Sequence, residues 1–123
     1  VKELFSALKR GEAVAMAADQ VPAKNMGVYE NFFGRKAYTT NLIPSLHSKT
    51  KAPIVSVAIH SDNLTNQLYI RYGSKSTYKE KSQYNAKTMN KEIENIININ
   101  PEDYNWEYKR FKKQEVEDKT IYK

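Results

Sequence analysis

Apolar residues recur at helical spacing over residues 1–10, where Leu4, Phe5 and Leu8 share one face and Lys2, Lys9 and Arg10 lie elsewhere. Gly11 follows as a stop residue. The pattern then changes. Ala13 to Ala18 is a continuous run of small apolar residues bounded by Gly11 and Asp19, which predicts a short strand buried on both faces. A polar excursion holding Pro22, Asn25 and Gly27 leads to the aromatic pair Phe32–Phe33 and to Gly34. Thr40 is placed to cap a second helix over 41–50, with Leu42, Ile43 and Leu46 facing inward. Pro44 falls in its first turn, where a missing N–H has no intrahelical partner to lose. Ile54 to Ile59 is a β-branched run that predicts a buried strand, and Ser61 to Asn66 is a turn cluster. Leu68 to Tyr72 follows as a strand, antiparallel to its predecessor because the connection is short. Residues 73–81 read as a loop. A third helix over 83–98 carries Met89, Ile93, Ile96 and Ile97 as its apolar stripe.

Strand 13–18, helix 41–50 and strand 54–60 together compose a βαβ crossover, so those strands are expected to be parallel. The predicted fold class is α/β: a small, mostly parallel sheet of about three strands with an antiparallel strand, and helices packed on it. No repeat, low-complexity tract or second domain is visible in the 123 residues.

Composition narrows the function classes. Charged residues make up 28% and hydrophobic residues 40% of the chain, the balance of a globular domain. No apolar run approaches the ~20 residues of a membrane-spanning helix, and no signal peptide is visible. The absence of cysteine excludes disulfide and thiol chemistry. A net charge of +6 favours anionic partners, whether phosphorylated lipid, acidic protein or nucleic acid, and equally suits an ordinary solvated surface. No dinucleotide or P-loop pattern and no Cys/His or calcium-loop cluster occurs. The chain opens at Val1 directly in a helical pattern, which reads as a fragment.

Asp19 is the strongest functional carboxylate. In an open α/β sheet ligands collect at the carboxyl ends of strands, and Asp19–Gln20 stands where the first strand emerges. The alternative is an Asp that merely starts a loop. Phe32, Phe33 and Gly34 either line a substrate channel or pack the loop on the sheet. Lys24, Arg35 and Lys36 either meet phosphate or an acidic partner, or are surface charge. His47 reads as an exposed or half-buried helix residue and His60 as the end of a strand. The tail sets Tyr104, Trp106, Tyr108 and Phe111 among basic residues.

Several of these segments, in order, resemble the bacterial lipid A biosynthesis acyltransferases, the late lauroyl/myristoyl transferases. They are Leu8–Lys9–Arg10–Gly11, Asp19–Gln20, Gly27–Val28, Phe32–Phe33–Gly34, Thr39, Ala52–Pro53–Ile54–Val55, Asn90 with Glu94, Pro101 to Trp106, and Arg110–Phe111–Lys112. Asn31 stands where the family commonly has Pro, and Tyr108 where its tail motif has His.

The resemblance implies a partial glycerolphosphate-acyltransferase-like layer fold. It implies transfer of a fatty acyl chain from acyl carrier protein, the co-substrate, to a hydroxyacyl chain of a lipid A precursor. No cofactor is implied, and the location implied is the cytoplasmic face of the bacterial inner membrane. Asp19, Gln20, Phe32, Phe33, Gly34, Arg35 and Arg110 become the substrate-binding candidates, Asp19 also supporting catalysis. Arg110 either anchors the tail or touches phosphate, and Trp106 among basic residues suits a membrane interface.

The family's catalytic motif is a His followed, after four residues, by Asp or Glu. Five positions after His47 is Ala52, and five after His60 is Thr65, so neither fits. The resemblance therefore makes residues 1–123 a single C-terminal fragment of an acyltransferase domain, with the motif and a membrane anchor expected upstream and no activity expected of the fragment alone. Two other classes stay open: a basic nucleic-acid-binding module, disfavoured because no RNP, zinc-finger or helix-turn-helix pattern appears, and a non-catalytic interaction domain.

Overall fold

The computed structural model describes residues 1–62, 64, 67–72, 84–115 and 121–122, with Asp62 and 67–72 described by their backbone. The elements run α1 (Lys2–Lys9), β1 (Gly27–Phe32), β2 (Arg35–Thr40), α2 (Leu42–Thr50), β3 (Val57–Asp62), β4 (Gln67–Tyr72) and α3 (Ala86–Ile97), followed by a 3₁₀ turn at Pro101–Asp103. The α/β class holds. The predicted loop 73–81 lies outside the described residues.

The strands pair only locally. β1–β2 and β3–β4 are two antiparallel hairpins, each its own sheet. The expected parallel crossover does not form among the described residues. Residues 13–17 belong to no regular element and Ala18 lies in a turn, so the run carries no ladder. This run is mainly alanine, a residue depleted in strands, and it has no tight turn bringing a partner alongside.

The hairpin at 27–40 replaces most of the predicted excursion. Its register pairs Gly27 with Thr40 and Phe32 with Arg35, leaving Phe33 and Gly34 as a two-residue turn with φ of 47° and 78°. Both angles are positive, as the type I′ hairpin turn requires. Glycine takes this region freely, but an aromatic residue there costs about 1–2 kcal/mol. Gly27 is needed for a different reason: a Cβ there would fall 2.5 Å from Thr39 O and 2.7 Å from the Pro22 ring.

β3 and the segment before it alternate. Ile54, Ser56 and Ala58 are half-buried and His60 is buried, whereas Val55, Val57 and Ile59 face outward. The expected burial is thus one-sided, because an antiparallel pair packed on one face leaves the other in solvent. His60 lies within this strand and is buried, not at its end.

α2 keeps Pro44 in its first turn and ends at Lys51 in the left-handed region, and the Thr40 hydroxyl accepts the Leu42 N–H at 3.2 Å. α3 begins at Asn85, whose side chain accepts the Thr88 N–H. The core forms where the first hairpin meets α3 and the tail: Phe32, Ala37 and Ile97 are buried together, with Ile93, Tyr104 and Phe111 packed against them.

Candidate functional site

α3 grips the first hairpin through two side chains one turn apart. Asn90 is fully buried and donates to Asn31 O at 2.9 Å and to Thr39 Oγ1 at 3.0 Å. Glu94, also buried, accepts the Phe33 N–H at 2.8 Å and pairs with Lys91 at 3.1 Å. Phe33 is therefore held in its left-handed conformation by a carboxylate on its amide and by ring contacts to Phe32 and Trp106.

Arg110 enters the same core from the tail. It is 2% exposed. Its two terminal nitrogens donate to Tyr38 O and to Thr39 Oγ1, both at 2.8 Å, and its guanidinium lies 5.1 Å from the Phe32 ring centre. The tail ties down the 19–29 segment as well. Tyr108 accepts the Val21 N–H at 2.7 Å, Lys113 donates to Pro22 O at 2.6 Å, and Tyr29 donates to Gln114 O at 2.8 Å.

Beside this block lies a cavity of about 470 Å³, within the usual ~300–1,000 Å³ of ligand sites. Its walls are the run Val14–Ala18, the segment Ala52–Ala58, the α2 residues Ile43, Leu46 and His47, and the α3 residues Met89, Ile93, Ile96 and Ile97. The stripe predicted for α3 thus faces the cavity. Polar side chains reach the lining at Asp19, His47, Ser56, Tyr84 and Tyr104.

Asp19 and Tyr104 lie close enough to interact. The Tyr104 hydroxyl is buried without a close hydrogen bond, and Asp19 lies within reach of a longer one. Burial holds its pKa well above the ordinary tyrosine range, and the negative charge of Asp19 adds to this. The Arg110 guanidinium responds in the opposite sense. Burial lowers its pKa, and the oxygens of Tyr104 and Asp19 draw it back. The geometry thus joins Asp19 and Arg110, candidates 91 positions apart in sequence, around one tyrosine at the cavity wall.

His47, expected to be exposed or half-buried, is buried. Its Nδ1–H donates to Ala52 O at 2.8 Å, so in the neutral ring Nε2 is the acceptor nitrogen. Nε2 is buried and has no partner among the described residues, so it can take one hydrogen bond from a ligand hydroxyl. Tyr84 stands edge-on to the imidazole with ring centres 5.8 Å apart. Burial, then the charge of Glu92, raises the Tyr84 pKa far above its ordinary value.

The other predicted residues are dispersed. Gln20 is exposed beside Asp19, Phe32 is core, and Phe33 and Gly34 form the hairpin tip. Arg35, Lys24 and Lys36 are on the surface. Among the described residues no group of three His, Cys, Asp or Glu side chains could hold a metal, and no helix is long and apolar enough to cross a membrane. Sequence reasoning missed Tyr104 and His47 as cavity residues. The apolar spacing of α2 that placed Leu42, Ile43 and Leu46 inward also puts position 47 beside Ile43, one turn on, and that was the available signal.

A family model described as bacterial lipid A biosynthesis acyltransferase matches residues 1–113. The chain belongs to that family, as its motifs suggested. No curated protein matches it.

Proposed function

We propose that this chain is the acceptor-side part of an acyltransferase that esterifies a hydroxyacyl chain of a lipid A precursor, using a fatty acyl group carried as a thioester on acyl carrier protein. The family match supports acyl transfer in lipid A biosynthesis. The observation that carries the finer reading is the placement of Asp19, beside Tyr104 and Arg110, on the wall of an apolar cavity.

In this reading the acceptor hydroxyl oxygen attacks the thioester carbonyl. The new C–O ester bond forms as the C–S bond breaks, and the hydroxyl proton passes by way of a base to the departing carrier thiolate. No covalent enzyme intermediate is required. Asp19 orients the acceptor by accepting from its hydroxyl or amide groups, with Gln20 as a neutral neighbour. The Tyr104 hydroxyl stays protonated at neutral pH and is available as a donor. Arg110, with its terminal nitrogens taken up by Tyr38 O and Thr39 Oγ1, holds the tail on the first hairpin, and the exposed Arg35 provides positive charge towards the acceptor's phosphates. The base is the histidine of a His-x4-Asp/Glu pair, which these 123 residues do not contain, so they transfer nothing by themselves.

The runs 13–18 and 54–58, which both contribute to the cavity lining, belong in this proposal to a mostly parallel, layered sheet, at the cytoplasmic face of the inner membrane. The test is acyl transfer from acyl carrier protein to a lipid A precursor by the full gene product, followed by mass spectrometry. Asp19→Asn is expected to lower turnover at least tenfold with the melting temperature nearly unchanged. Unimpaired turnover would remove Asp19 from the site.

A further inference from the structure

The cavity lining holds a second polar group that the acyl-transfer reading does not use. α2 brings His47 to it, the residue before β3 brings Ser56, and Tyr84 stands just ahead of α3. Tyr84 meets the His47 ring edge-on, with ring centres 5.8 Å apart. The Ser56 hydroxyl donates at 2.9 Å to Glu92, a buried carboxylate on α3 whose charge also acts on Tyr84.

Hydrogen bonding around His47 is unbalanced. Its Nδ1–H donates to Ala52 O at 2.8 Å, and the Ala52 N–H donates to Thr50 Oγ1 at 3.2 Å. The Ser56 proton is committed to Glu92. That leaves Nε2, in a side chain 6% exposed, without a donor among the described residues. Native structures leave few buried acceptors in that condition, because each is costly. His60 also has unbonded ring nitrogens, but it is not part of the cavity lining, and its Nδ1 lies 3.6 Å from the Asp103 carboxylate. No carboxylate bonds the His47 Nδ1–H, so this ring is placed to accept from a bound hydroxyl and not to take its proton. A buried water is held by two to four polar partners, and one acceptor in a mainly aliphatic wall is a poor site for it. A hydroxyl on an aliphatic chain needs only that one acceptor, since the chain itself suits the rest of the lining.

We propose that the cavity takes an aliphatic chain bearing a hydroxyl group, and that this hydroxyl donates to His47 Nε2. His47 is then a specificity-determining residue. It favours a hydroxylated chain over the plain one, because a site built around a hydroxyl penalises the ligand that lacks it. The proposal deepens the acyltransferase reading and rests on it only for the chain being that of an acyl substrate; the hydroxyl read here is not the one that reacts. The binding test involves no acyl transfer, so either idea can fail while the other stands.

The probes are 1-decanol and decyl methyl ether, which share a chain and differ in the hydroxyl proton. Each is titrated into the 123-residue chain by calorimetry, and the imidazole nitrogens are followed by 15N NMR. The sequence has two histidines, so His60 serves as an internal reference. The alcohol is expected to bind roughly tenfold more tightly, the scale of one hydrogen bond. It alone is expected to move the His47 Nε2 resonance to lower frequency. His47→Asn retains an N–H that can reach Ala52 O but has no acceptor at the Nε2 position, and it is expected to bind both probes alike. The wild-type titration decides the matter even if that variant does not fold. Binding of neither probe, equal wild-type affinity for the two, an unmoved Nε2 resonance with the alcohol bound, or a preference for the alcohol that survives in a folded His47→Asn variant would each overturn the proposal.

Discussion

Arg110→Ala tests whether the tail organises the site. The side chain is 2% exposed and bridges Tyr38 O and Thr39 Oγ1 at 2.8 Å each. Truncation orphans the Tyr38 carbonyl, at about 1–3 kcal/mol for a buried acceptor. Thr39 suffers less, since Asn90 still donates to it at 3.0 Å. Loss of the alkyl stem and of the stacking on Phe32 adds a cavity cost of about 1–2 kcal/mol. Against this stands relief of the guanidinium's own desolvation, the burial effect that lowers its pKa. The net expectation is about 2–4 kcal/mol of lost stability, or roughly 8–15 °C in melting temperature for a domain of this size. Urea unfolding followed by Trp106 fluorescence gives the number. Arg110→Lys keeps the charge but cannot bridge both oxygens, so it should fall between wild type and Ala. Arg110→Met keeps most of the volume without the donors and should also fall between them. An Ala variant within about 1 kcal/mol of wild type would refute the assignment of Arg110 as the strut between tail and hairpin, because the orphaned carbonyl alone should cost that much.

Two further outcomes follow from the hydrogen bonds and the titrating groups. Glu94→Ala should loosen the hairpin tip, costing about 1–2 kcal/mol and speeding amide exchange at Phe33, whereas Glu94→Gln keeps an acceptor and should largely restore protection. Tyr84 and Tyr104 both have folded-state pKa values raised above the unfolded value of about 10. Their neutral forms therefore stabilise the fold fully below pH 10, and that contribution is lost as pH rises above it. Stability measured by urea titration should fall above about pH 10, and the Tyr84→Phe and Tyr104→Phe variants should each flatten that fall; an unchanged alkaline limb would show that neither hydroxyl is buried.

The helices were legible because their apolar spacing is strong and local: Leu4, Phe5 and Leu8 on α1, and Met89, Ile93, Ile96 and Ile97 on α3. The β3–β4 hairpin was legible from two apolar runs separated by a turn cluster. The β1–β2 hairpin was not. Its turn is Phe33–Gly34, without the Asn-Gly or Asp-Gly signature, and Pro22, Asn25 and Gly27 advertise a loop just before it. Asp19 was legible as a carboxylate at the end of an apolar run. That Tyr104 and the candidate Arg110 come near it was not, since nothing local reports that the tail folds back over residues 19–29.

The places where prediction and structure part are themselves informative. The run Ala13–Ala18 reads as a strand buried on both faces and the segment Ile54–Ile59 as a buried strand, yet the first has no ladder and the second exposes Val55, Val57 and Ile59. These same two segments both line the cavity. Elsewhere the motif residues are fully used: Phe32, Asn90, Glu94 and Arg110 close on one another around the first hairpin with hydrogen bonds of 2.8–3.0 Å and ring contacts. The family motifs therefore divide by physical task. One set clamps a hairpin and is satisfied within this chain. The other, centred on Asp19, borders apolar surface that the described residues leave uncovered. Two-sided apolar strands with one side bare are what a wider sheet or a bound acyl chain would cover, and a carboxylate at the rim is where the polar end of such a ligand would sit. The functional reading thus rests more on the unsatisfied half of the molecule than on its well-packed half.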